Sequence, residues 1–357
     1  MMFSSIDLGI ENCITRCLWG CLLSIICGFF VFPHTLTFFK KKKIGQIERG
    51  KDIVKDLAKL HASKAGTPTI GGIAILLSVI IPILIFAKLN FYVLTALVVS
   101  LYLGFLGFVD DFFKIFKHSI WGIKGKHKLL YEAVLTAVVL YCMYHKYGSD
   151  IRLMLRPILN IETINWFLLV LIGVFMFFVL AGTCNAVNLT DGLDGLATVT
   201  ILPNFAFFTM LAIFSGSECM IDSLKINFLP GIEELAVVFS CVIGSLLVFL
   251  WYNSWPSSIM MGDTGALMLG GLLGIGALLL MQPFFLLLTG IIFVVEALSD
   301  IVQVASYKLR GGKRVFLMAP IHHHFELSGI SEQKIVARAG LISIGSFILS
   351  LAVLISC

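Results

Sequence analysis

Apolar runs of roughly 20 residues, each long enough to cross a bilayer as a helix, recur along the whole of this 357-residue chain. Only short polar islands separate them. Hydrophobic residues make up 59% of the chain and charged ones 13%, a balance that excludes a soluble domain of this length. Inside hydrocarbon the backbone must satisfy its own hydrogen bonds, so each run is predicted to be a helix. The predicted spans are about 17–39, 70–88, 91–109, 129–145, 165–183, 196–214, 235–252, 264–281, 284–307 and 339–357. The fold class expected is an all-α polytopic membrane protein with about ten transmembrane helices. Few residues remain for anything else, so residues 1–357 are read as a single integral-membrane domain.

The first run lacks a small-residue cleavage site and leads straight into Lys40-Lys41-Lys42-Lys43, which fits an uncleaved anchor. With those lysines inside, 20 of the 26 Lys and Arg residues fall on the inner side, both termini lie outside, and every polar island is inward. The formal net charge of +5 is explained by loop topology and anionic membrane lipid, with no nucleic acid needed. Nine scattered cysteines include no Cys-x-x-Cys pair and read as small buried thiols. Asn188-Leu189-Thr190 fits a glycosylation sequon but faces inward in this topology.

The islands carry the chemistry. Residues 40–66 are predicted to form a basic amphipathic surface helix ending at Lys64, followed by Thr67-Pro68-Thr69-Ile70-Gly71-Gly72, a helix start beside a lysine that suits a phosphate. Asp110 and Asp111 end the third span. Adjacent carboxylates repel, a conflict that a divalent cation relieves. Lys114, Lys124, Lys126, His127 and Lys128 follow, a set suited to an anion beside a metal. In Asn185-Ala186-Val187-Asn188-Leu189-Thr190-Asp191-Gly192-Leu193-Asp194-Gly195, polar groups recur every third residue, so a 3₁₀-like turn would put Asn185, Asn188, Asp191 and Asp194 on one side. Each Asp-Gly step permits positive φ. The fourth island runs from Asn253 through Met260-Met261-Gly262-Asp263, with Asp263 at a helix start, either as a cap or as a third carboxylate for the same metal. The last holds His322, His323 and His324, whose neighbouring side chains diverge too much to share one ion easily. Glu296, Ser299, Asp300 and Gln303 form a polar stripe predicted to face the bundle interior. Plainer readings exist for each island: a helix cap, a solvated loop acid, a snorkelling lysine. Taken together, three groups of acids, nearby lysines and a wet cleft at the membrane surface match Mg²⁺-dependent phosphoryl transfer.

Lys-x-Gly-Thr-Pro-Thr-x-Gly-Gly, Asp-Asp, Asn-Ala-Val-Asn-Leu-Thr-Asp-Gly-Leu-Asp-Gly, Met-Gly-Asp-x-Gly and Met-Ala-Pro-x-His-His-His-Phe-Glu occur here in order. The chain thereby resembles the polyprenyl-phosphate N-acetylhexosamine-1-phosphate transferase superfamily, in its branch of bacterial phospho-N-acetylmuramoyl-pentapeptide transferases. The resemblance implies ten spans and an inner-membrane enzyme of peptidoglycan synthesis facing the cytoplasm. It implies UDP-N-acetylmuramoyl-pentapeptide and undecaprenyl phosphate as substrates, Mg²⁺ as cofactor, and allows a homodimer. Carried onto this chain, it makes Asp110 and Asp111 the catalytic pair and His322, His323 and His324 catalytic-site residues. Asp263 is catalytic and, with Asp111, metal-binding. Lys64, Lys114, Lys126, Asn185, Asn188, Asp191, Asp194, Asn253 and Met260 become substrate-binding. Met260 stands where the pattern usually has Phe, and Ser257 where it has Ala. The rival readings are a sister enzyme transferring N-acetylglucosamine-1-phosphate and, from the Glu296–Gln303 stripe, a transporter of an anionic substrate.

Overall fold

The computed structural model describes residues 8–42, 67–116, 122–155 and 165–356, and these are helical with no strand. The helices are α1 (Leu8–Lys41), α2 (Gly71–Phe86), α3 (Phe91–Phe116), α4 (Gly125–Tyr147), α5 (Trp166–Thr190), α6 (Leu196–Ser215), α7 (Glu218–Leu224), α8 (Glu234–Asn253), α9 (Gly262–Leu279), α10 (Phe285–Thr289), α11 (Ile291–Leu309), α12 (Ile321–Leu327) and α13 (Glu332–Ser356). A 3₁₀ segment, Gly148–Leu155, follows α4. Each predicted apolar stretch contains a helix, although 284–307 is broken at Gly290 into α10 and α11. Seven helices are long and apolar enough to cross a membrane, which makes this a polytopic membrane protein. The main helices of the other three predicted spans are not: α2 has only 16 residues, α4 carries Lys128 and Glu132, and α11 carries Glu296 and Asp300. Lys64 and most of the predicted surface helix lie outside the described residues.

The bundle is built around α9. Every residue from Thr264 to Leu279 is buried, and α3, α5 and α2 pack against this helix. Its side chains are small enough to allow that. Between α2 and α9, a Cβ on Gly72 would run into the Gly265 backbone, and one on Gly107 of α3 would run into the Asp263 carbonyl. Small residues at helix crossings let backbones approach where lipid supplies no hydrophobic drive for association. The first and last helices lie at the periphery, with 22% of their apolar windows buried against 89% for α9.

The bundle end remote from the polar islands is tied by charge. Arg16 of α1 donates to both carboxylate oxygens of Glu234, at 2.7 and 2.8 Å, and to the Phe86 carbonyl at 3.0 Å. Glu234 also accepts from the Lys88 amide at 2.9 Å. One buried acid thus joins α1, the end of α2 and the start of α8.

Candidate active site

At the opposite end of the bundle, the close of α3, the start of α4, the α5–α6 turn and the start of α9 meet. α3 delivers Asp110, Asp111 and Lys114 on its last turns, and α4 delivers Lys128 on its first. Lys128 Nζ lies 2.7 Å from Asp263 Oδ2 and 3.0 Å from Asp110 Oδ2. Lys114 Nζ pairs with the same two acids, Asp110 Oδ2 and, at 3.0 Å, Asp263 Oδ2. Burial pulls the Lys128 ammonium down, but the Asp263 and Asp110 carboxylates outweigh it and hold the group above its usual value. Two cations and two anions therefore share a nearly dry corner. Asp110 is 0% exposed, and its other oxygen accepts from the Ile123 amide at 2.6 Å.

Asp111 does a different job. Its Oδ2 accepts from the Thr264 amide at 2.9 Å and the Thr264 hydroxyl at 2.7 Å, while Oδ1 accepts a longer bond, 3.3 Å, from the Asp263 amide. A carboxylate on α3 thus caps the amino terminus of α9, where free amides and the helix dipole favour negative charge. Asp263 is the second residue of α9, and its carboxylate points to the two lysines rather than capping the helix.

The polar loop after α5 departs from the predicted turn. The α-helix continues through Thr190, so the three-residue recurrence spreads its side chains rather than aligning them. Asn185 donates to both oxygens of Glu132, at 3.1 and 3.2 Å. Asp191 Oδ2 accepts from the Gly262 amide at 3.1 Å and Asp194 Oδ2 from the Ser257 amide at 2.9 Å, pinning the fourth island to this loop. Asn188 is half-buried. Burial pushes the Asp191 carboxyl well above the usual carboxylate range, with the Gly262 amide opposing. Its Oδ1 is buried and makes no hydrogen bond. Gly195 has φ +84°, but Gly192 is absent from the positive-φ glycines. What Gly192 provides is space, because a Cβ there would overlap the His322 ring at Nε2.

The fourth island is held mostly from within. Asn253 donates to the Ile259 carbonyl at 2.9 Å and accepts from the Thr198 hydroxyl at 2.9 Å. Met260 is buried, with the Ser257 hydroxyl 3.3 Å from its sulfur. The Gly71 and Gly72 amides donate to the Met260 and Met261 carbonyls at 3.0 and 3.1 Å, so the described end of the first island joins the fourth.

The three histidines of α12 diverge to three partners. His322 Nδ1 sits 3.0 Å from Glu296 Oε2, His323 Nδ1 sits 2.7 Å from Glu326 Oε2, and His324 Nδ1 accepts from the Leu317 amide at 3.2 Å. The α11 stripe is their scaffold. Ser299 Oγ accepts from the Ile321 amide at 2.9 Å, and Gln303 Oε1 accepts from the Val315 and Phe316 amides at 2.9 and 3.0 Å. A loop-docking role thus accounts for Glu296, Ser299 and Gln303, three of the four polar groups on which a transporter reading would rest.

Four of the predicted islands meet here, while Lys64 is outside the described residues. Lys126 is exposed, and the lysine of α4 that pairs with the acids is Lys128, two residues on. Sequence reasoning also passed over Glu132, Thr264 and Glu332, which accepts from the Asp194 amide at 2.6 Å. Lys128 was marked by the basic run that holds it, and Glu132 stands one helical turn further on.

No three His, Cys, Asp or Glu side chains among the described residues are already arranged to hold an ion. Mg²⁺ does not require such a cage, since it commonly takes one or two carboxylates and completes its shell with phosphate and water. Asp263, Asp111 through Oδ1 and the unpartnered Asp191 Oδ1 are hard oxygen donors grouped at the start of α9, and they fit that demand.

The chain was compared with known proteins. The model of Glycosyl transferase family 4 matches residues 93–281, a little over half of the chain. The phospho-N-acetylmuramoyl-pentapeptide-transferase of Methylacidiphilum infernorum is 39% identical over 336 residues, covering 92% of this chain and 90% of that protein. The protein of the same name from Rhodopseudomonas palustris is 43% identical over 300 residues, covering 83% and 82%. That from Francisella tularensis is 39% identical over 320 residues, covering 89% and 86%. Identity of this depth over nearly the full length of each partner, on a bundle whose polar islands meet at one end, means that the chain belongs to the phospho-N-acetylmuramoyl-pentapeptide-transferase family.

Proposed function

We propose that this protein transfers phospho-N-acetylmuramoyl-pentapeptide from its UDP-activated form to undecaprenyl phosphate, giving lipid I and UMP. The observation that carries this reading is the Lys114–Lys128–Asp110–Asp263 cluster beside the start of α9, in a chain of this family. On this reading the chain sits in the bacterial cytoplasmic membrane, crossing ten times with both termini outside, and with the cluster at the cytoplasmic face. A charged nucleotide sugar then arrives from water while the greasy acceptor stays in the bilayer.

In this reading an oxygen of the lipid phosphate attacks the β-phosphorus of the nucleotide sugar. The bond from that phosphorus to the bridging oxygen breaks, and UMP leaves with the electron pair. Lys114 and Lys128, held between two acids, are positioned to exchange those partners for phosphate oxygens, and positioning with charge neutralisation is most of what phosphoryl transfer asks of a protein. Asp110 keeps the acceptor phosphate deprotonated. Asp111 holds the start of α9 through Oδ2, which leaves Oδ1, with its longer bond to the Asp263 amide, as the oxygen nearer the ion. Asp263 and Asp111, with Asp191 beside them, would hold Mg²⁺, which neutralises pyrophosphate charge when bound. Asn185, Asp191, Asp194 and Asn253 act chiefly by fixing the loops, while Asn188, Met260 and the histidines face the nucleotide sugar.

The test is UMP release by purified enzyme with undecaprenyl phosphate and either UDP-N-acetylmuramoyl-pentapeptide or UDP-N-acetylglucosamine. Release with the first alone is expected. Release with the second alone would transfer the assignment to the sister activity.

A further inference from the structure

His322 is gripped from two sides that are far apart in sequence. On one side Glu296 of α11, 4% exposed, accepts from Nδ1 at 3.0 Å and from the His322 amide at 3.5 Å. On the other side the ring edge at Nε2 lies against Gly192, where a side chain would fill the same space. His322 is 1% exposed, and Nε2 is buried without a hydrogen-bond partner. A buried, unpaired ring nitrogen costs free energy unless a ligand satisfies it. Asp191 and Asp194 in the same turn pin the island that leads to Asp263, so this nitrogen abuts the candidate site.

We infer that Glu296 and Gly192 are positioning residues that act through His322. With a carboxylate on Nδ1, the proton is fixed there, and in the neutral ring Nε2 is left as the acceptor. Gly192 keeps the space into which Nε2 projects. The pair therefore sets both the tautomer and the placement of a nitrogen whose partner is a hydroxyl of the nucleotide sugar. This inference rests on the transferase reading above. It also gives the α11 stripe a purpose: Ser299 and Gln303 dock the loop, and Glu296 orients the ring.

Two double-mutant cycles on the full-length enzyme, read by UMP release, test it. Glu296→Gln should lower kcat on the order of 10–100-fold, by analogy with the loss when the group behind a metal-ligating imidazole is changed, and leave KM for the nucleotide sugar unchanged. In the His322→Gln background the same change should cost nothing more. Gly192→Ala should also lower kcat, and should be silent once His322→Ala removes the ring it would strike. Effects that multiply in both cycles would overturn the inference, since they would show action independent of the imidazole. Thermal unfolding of each variant accompanies the assay. If Glu296→Gln does not fold, the Gly192 cycle decides alone, because it leaves the buried carboxylate intact. A wild-type enzyme that releases no UMP from either nucleotide sugar would instead sink the transferase reading. An active wild type with an active Glu296→Gln variant would sink only the present inference.

Discussion

Replacing Lys128 by Met removes a cation that touches two acids at once. Its Nζ lies 2.7 Å from Asp263 and 3.0 Å from Asp110, with the side chain 16% exposed. A hydrogen bond to a charged group contributes ~1.5–3 kcal/mol, so two would amount to ~3–6 kcal/mol if neither acid had another partner. Lys114 touches the same two oxygens and offsets roughly half, leaving ~1.5–3 kcal/mol by the same measure. If the ammonium faces the phosphates in the transition state as it faces the acids now, turnover should fall ~10- to 150-fold, at 1.36 kcal/mol per factor of ten. Lys126→Met is the matched control, because that side chain is exposed and should leave the rate near wild type. The assay is UMP release at saturating levels of both substrates, with unfolding midpoints to show that both variants are intact. An active Lys128→Met beside an inactive Lys126→Met would refute the reasoning, because the α4 lysine that matters would then be the exposed one.

Asp263→Asn should lower turnover by at least ~10²-fold, about 2.7 kcal/mol in the transition state; near-normal UMP release would remove Asp263 from the metal site. Chelation should abolish activity and added Mg²⁺ should restore it, whereas activity that persists through exhaustive chelation would exclude an ion from the reaction. Gly72→Val forces a side chain into the Gly265 backbone and should destabilise the bundle by ~1–3 kcal/mol or more. Gly125→Ala, where a Cβ meets nothing within 4 Å, should leave the unfolding midpoint unchanged; equal midpoints for the two variants would contradict the close packing of α2 on α9.

The helices could be read from the chain because hydrocarbon leaves the backbone few choices, and hydropathy alone located them. The convergence of the islands could also be read, since acids and amides gathered at one membrane face need one another or a ligand. What escaped was rotational phase. α4 begins at Gly125, four residues before its predicted start, and at 100° per residue Lys126 and Lys128 lie ~200° apart on it. Which of the two reaches the acids is set by how α4 packs in the bundle, which no sequence spacing fixes. The Asn185–Asp194 series failed for a related reason: three-residue spacing reads as one face only on a 3₁₀ turn, and α5 remains an α-helix through Thr190. Gly192 was assigned backbone freedom when its value is volume, and that depends on His322, 130 residues away in sequence. The stripe from Glu296 to Gln303 was visible as a stripe, but its partners lie across a loop with no periodic signature.

Asp111 shows how little separation there is between building this protein and running it. The carboxylate that seats the first turn of the innermost helix is also an arm's length from where the ion would sit. Truncating it to Ala would disturb the scaffold and the chemistry together, and the resulting inactivity could not be assigned to either. Asn retains an oxygen for the Thr264 amide while discarding the charge, so it is the substitution whose failure speaks about electrostatics. Evolution faces the same constraint, because any change that tunes the ion's surroundings at this position must first preserve the seat of the helix.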